Sequence, residues 1–167
     1  PKKGVPIWRE PEDIIEEVRR AHDSGVHHVR LGGMTDTYTY MADGVKELEY
    51  PVPNPEPIAA LLHGLREDER LGILHTDNGN PSIIAEHLEP SEAITKTLVE
   101  TLSDGAVLSF GLESADPSVH EANWLNCDPG QLKQAIRLIN KHGSVRGERG
   151  LPKLLPGLNF IAGLNGE

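Results

Sequence analysis

Apolar residues gather along this chain into four short runs, and each run breaks into glycine and polar residues. Val26 to Leu31 gives way to Gly32-Gly33-Met34-Thr35-Asp36, and Leu71 to Leu74 leads into His75-Thr76-Asp77-Asn78. Ala106 to Phe110 precedes Gly111-Leu112-Glu113-Ser114-Ala115-Asp116, and Leu158 to Ala162 precedes Gly163-Leu164-Asn165-Gly166-Glu167. Short runs closed by turn residues and separated by helical patterns predict parallel strands in βα units. Such units bind ligands where strands end in loops, so the four polar clusters are expected on one rim.

The intervening segments carry helical stripes. Ile14, Ile15, Val18 and Ala21 follow Pro11-Glu12-Asp13, with Gly25 placed as a stop. Ile58, Leu61, Leu62 and Leu65 follow Asn54-Pro55, a short helical turn follows Asn80-Pro81, and Ile94, Leu98 and Leu102 follow Pro90. Asp116-Pro117 and Asp128-Pro129 each join a capping acid to a proline suited to a first helical turn. The second opens a helix burying Leu132, Ala135, Ile136 and Ile139 up to Gly143. Residues 36–57, with three tyrosines, and 144–157, with Arg146, Arg149 and Lys153, read as long loops.

Composition is even, so residues 1–167 read as a single α/β domain. The first helix has no strand before it and the last run has no helix after it. Four strands cannot close an eight-stranded barrel, so the expectation is a small open sheet or, favoured, an internal segment of something larger. A net charge of −10 lacks the basic footprint of nucleic-acid binding, and 4% aromatic content is poor for base stacking. No stretch approaches the ~20 apolar residues that cross a bilayer, and Pro1 to Pro6 carries no signal-peptide core. A cytoplasmic location and no membrane partner are expected. The single cysteine, Cys127, excludes an intrachain disulfide and any multi-cysteine metal site within these residues.

Several rim residues carry chemistry. His75 and Asp77 alternate, which puts both on one side of a strand. With Glu113 they could surround a divalent ion in a barrel hydrolase or lyase, or they could simply pack and make turn hydrogen bonds. His27-His28 predicts one ring in the core and one beneath a helix. Arg30, expected to be buried, needs an acidic partner or an anion. Unclosed strand edges also suit a noncatalytic docking module and self-association.

Three stretches in order resemble the radical S-adenosylmethionine (radical SAM) enzymes, and more narrowly archaeal-type iron–sulfur oxidoreductases. Arg30 to Asp36 stands where that family has its Gly-Gly-Glu strand end. Phe110 to Pro117 is similar to its Gly-x-Glu-Ser segment, and Asn159 to Glu167 to its Gly-x-x-Gly-Glu signature. The resemblance implies part of a (β/α)6 partial TIM barrel, strands two to five, that binds S-adenosylmethionine against a 4Fe–4S cluster. An electron from the cluster cleaves the sulfonium, and the resulting 5′-deoxyadenosyl radical abstracts hydrogen from an unknown substrate. The cluster ligands, C-x3-C-x2-C, are absent here and are expected upstream of Pro1, with no metal ligand in this chain. Gly32 and Gly33 would approach the methionyl amino group, with Met34 in place of the usual Glu and Asp36 as its stand-in. Glu113 and Ser114 would reach the ribose or carboxylate, and Gly163, Gly166 and Glu167 the adenine. His75, Asp77 and Asn78 would face substrate.

Overall fold

The computed structural model describes residues 7–33, 36–125 and 127–167. Proline opens five of the six described helices: α1 (Pro11–Asp23), α2 (Pro55–Arg66), α3 (Pro81–Glu86), α5 (Pro117–Asn123) and α6 (Pro129–Gly143). Its missing N–H falls where a helix has no acceptor to offer, so the residue starts a helix at no hydrogen-bond cost. Asn54, Asn80, Asp116 and Asp128 cap four of these helices, each accepting an N–H two residues on. The remaining helix, α4, runs Leu88–Thr101.

The strands are β1 (His28–Arg30), β2 (Ile73–His75), β3 (Asn78–Gly79), β4 (Ala106–Glu113) and β5 (Leu154–Phe160). All pair in parallel, β1 with β2 in one small sheet and β3, β4 and β5 in another. β2 and β3 are one extended run interrupted at Thr76-Asp77. The two sheets stay joined across that break: Ser103 N–H donates to Leu74 O at 2.9 Å and Ser109 N–H to Asp77 O at 2.9 Å. On β4, Ala106, Leu108, Phe110 and Leu112 are buried, while Val107, Ser109, Gly111 and Glu113 alternate with them and stay partly exposed. The buried set joins Leu74, Ile83, Ile94, Leu98, Ile139 and Leu154 in one core. Each large side chain in it contributes roughly 1.5–3 kcal/mol.

This is a mixed α/β fold with parallel strands in small sheets, and four sequence expectations need correction. The second run makes two strands. β5 starts at Leu154, inside the stretch that reads as loop; Pro156 is tolerated because β5 lies at the edge of its sheet. His27 and His28 are both exposed: His27 stacks on His22 with centroids 5.8 Å apart, and His28 Nδ1 accepts the Ile73 N–H at 3.2 Å. Arg30 has a 61% exposed side chain, and its partner is Asp77. Met34 lies outside the described residues. Among the described residues, no helix is long and apolar enough to cross a membrane.

Candidate functional site

Parallel pairing puts the segments after β1 and β2 at one end of their sheet and those after β4 and β5 at one end of theirs. After β1, Gly33 takes φ +80° and the chain turns into a 3-10 turn, Thr37–Thr39, capped by Asp36. Asp36 Oδ1 accepts the N–H of Tyr38 at 3.0 Å and of Asn80 at 2.9 Å, which ties the first tip to the start of α3. Its Oδ2 is buried and has no hydrogen-bond partner among the described residues. Burial pushes this carboxyl up to about 7, against the lowering pull of the two backbone N–H groups and the nearby Thr39 hydroxyl. The Thr37 and Thr76 hydroxyls are bonded at 2.8 Å, and Tyr38 reaches the Thr95 hydroxyl at 2.8 Å.

Gly32, Gly33, Asp36 and Asn80 share a cavity of about 590 Å³ with Trp8, Ile14, Tyr40 and Ile83, and with Arg9 and Glu49. Trp8 and Tyr40 meet edge to face with centroids 6.0 Å apart. The cavity therefore sets Asp36, which makes no ion pair among the described residues, between apolar and aromatic walls that also carry Arg9 and Glu49.

At the second tip, Asp77 Oδ1 accepts from Arg30 Nη2 at 2.6 Å. A Cβ on Gly32 would lie 3.4 Å from Asp77 Oδ2, so the first two tips touch. His75 Nε2 is buried without a partner among the described residues, and the ring is held below its ordinary pKa by desolvation, then by the charges of Arg30, Arg149 and Arg66. Asn78 is half-buried in β3.

At the third tip, Glu113 adopts φ +66°, and the Ser114 N–H donates to Leu112 O at 2.8 Å, closing a three-residue turn about Glu113. Such turns are rare and strained, and strain of this kind collects at binding sites. The Glu113 carboxylate folds back over Gly111, where a Cβ would sit 2.6 Å from Oε1. Ser114 Oγ accepts the Asp116 N–H at 3.2 Å, and the Ser114 carbonyl accepts from the buried His120 Nε2. At the fourth tip, Gly163 and Gly166 have φ +85° and +93°. The Glu167 carboxylate accepts the Gly163 N–H at 2.5 Å.

The rim residues thus form two groups. Gly32, Gly33, Asp36 and Asp77 belong to one; Glu113, Ser114, Gly163, Gly166 and Glu167 belong to the other, linked by Ile161 N–H donating to Glu113 O at 3.0 Å. His75, Asp77 and Glu113 do not make a metal site: among the described residues no group of three His, Cys, Asp or Glu suits an ion. Cys127 is buried, its thiol pushed up to about 11 by desolvation. Sequence reasoning missed Trp8 as a cavity wall, and also His120 and Asn123. His120 was the more accessible, four residues past the capping acid Asp116 on the helix that leaves β4.

No protein-family model matches the chain. It is similar to the uncharacterized protein MJ0274 of Methanocaldococcus jannaschii, 38% identical over 164 residues, covering 98% of this chain and 30% of that protein. It is also similar to an uncharacterized protein of Archaeoglobus fulgidus, 42% identical over 165 residues, covering 96% of this chain and 30% of that one. The chain thus spans about a third of the length of the curated relatives it matches.

Proposed function

We propose that this chain is part of a radical SAM enzyme core, a segment of a (β/α)6 partial barrel whose strand tips bind S-adenosylmethionine. The observation that carries the reading is Asp36: a buried carboxyl oxygen without a partner, in a cavity it shares with Gly32 and Gly33. A methionyl ammonium supplies the missing donor to Asp36 Oδ2, and the glycines allow close backbone approach. The strained turn at Glu113 and the glycines of the last tip offer a second contact surface for ribose and adenine. The cluster is a different matter. One buried cysteine cannot hold iron, so a 4Fe–4S cluster has to take its thiolates from outside this chain. Beside such a cluster the bound cosubstrate supplies one-electron, hydrogen-abstracting chemistry.

Equilibrium dialysis with S-adenosylmethionine and S-adenosylhomocysteine tests the reading. Both are expected to bind, and Asp36→Asn to weaken each at least about tenfold, the loss of a charge-assisted hydrogen bond. Affinity should rise from about pH 6 to about pH 8, because the ammonium prefers the ionised carboxylate and the free carboxyl titrates near 7. Absence of binding by the wild-type chain at millimolar ligand would sink the proposal.

A further inference from the structure

The short helix α5 touches both members of the second rim group. At its start, the Asp116 N–H and the His120 ring bind the hydroxyl and the carbonyl of Ser114, directly after the strained Glu113. At its end, Asn123 pairs with the backbone of Asn165 in both directions: Nδ2 donates to Asn165 O at 2.8 Å, and Oδ1 accepts the Asn165 N–H at 3.1 Å. A third bond, Nδ2 to Val119 O at 2.8 Å, fixes the carboxamide on its own helix. Residue 165 lies between the two left-handed glycines of the last tip, whose residues are otherwise mostly exposed. Apart from Asn123, the tip's own hydrogen bonds are internal: Gly163 N–H to the Glu167 carboxylate and Glu167 N–H to Leu164 O.

We infer that Asn123 is a positioning residue that holds residues 163–167 in register with Glu113, so that the two tips present one preformed binding surface. The inference rests on the cosubstrate reading above. Asn is suited to this task because its carboxamide offers a donor and an acceptor side by side, matching a backbone N–H and C=O. Without that grip the tip must be ordered when ligand binds, which lowers affinity while leaving the core untouched.

The test compares wild type, Asn123→Ala, Asn123→Asp and Asp36→Asn for S-adenosylmethionine affinity and for amide hydrogen exchange at residues 163–167. Asn123→Ala is expected to lose about tenfold in affinity and to exchange faster at Asn165, with an unchanged unfolding midpoint. Asn123→Asp, which keeps the acceptor but not the donors, should fall between wild type and Asn123→Ala. Wild-type affinity in Asn123→Ala, with Asp36→Asn weakened, would overturn this inference alone. No binding by wild type would overturn the cosubstrate reading and this inference with it.

Discussion

The tip after β1 is anchored by Asp36, Thr37, Tyr38 and Tyr40, each 4% exposed or less, whereas residues 161–167 after β5 are exposed apart from the half-buried Leu164. Both tips carry left-handed glycines, yet one is fastened to the core and the other to a single helix turn. Tyr38 and Thr37 bond to Thr95 and Thr76 in the interior, so the first tip is fastened by buried hydrogen bonds. The last tip depends on Asn123 and on its own glutamate. In the proposed site the first tip is therefore the half fastened to the core, and the last the half that relies on Asn123.

The largest separation between them should appear in Tyr38→Ala. Tyr38 is fully buried, and its hydroxyl satisfies Thr95, so the change leaves a cavity and removes a buried hydrogen bond. A loss of about 3–5 kcal/mol in urea unfolding is expected. A loss below 1 kcal/mol would show that the first tip is no better anchored than the last.

Next comes the pH dependence carried by Asp36. Its folded carboxyl titrates near 7 and its unfolded one near 3.8, so the folded chain binds the proton more tightly. The stability that Asp36 contributes is thus fully present below about pH 4, falls as pH rises to about 7, and is flat above. The total is up to about 4 kcal/mol. Asp36→Asn should remove this slope, because its oxygen still accepts the two N–H groups and no charge is buried. A wild-type stability that rises relative to that of Asp36→Asn over the same range would contradict the sign.

The first tip was also the more legible of the two in the sequence, for a physical reason. Gly33 and the Asp36 cap of Tyr38 act through local chemistry, which is written in adjacent residues, although Asp36 also reaches Asn80 across 44 residues. The same holds for the capped starts at Asn54, Asp116 and Asp128 and for the alternation along β4. Long-range pairing is not written that way. Asp77 engages Arg30 across 47 residues, at the point where the second strand breaks in two. Leu154 finds Ala106 behind prolines and glycines that read as loop. Glu113 is a residue type that gives no hint of left-handed backbone. Trp8 and Tyr40 become cavity walls only through packing between distant segments.

The smallest effect should come from Phe160→Ala, at the root of the last tip. Phe160 is 61% exposed on the face of β5 where Leu158 is 41% exposed, although a strand phenylalanine is ordinarily a core residue. Little apolar area is withdrawn from water there, so the substitution should cost less than about 1 kcal/mol in dilute solution. The comparison sharpens if the measurement is repeated at rising protein concentration. A cost that grows toward that of Tyr38→Ala would mean that a second copy covers Leu158 and Phe160 at the open edge of the sheet. A cost that stays small at every concentration would leave that edge to solvent, and the last tip held by Asn123 and its own glutamate.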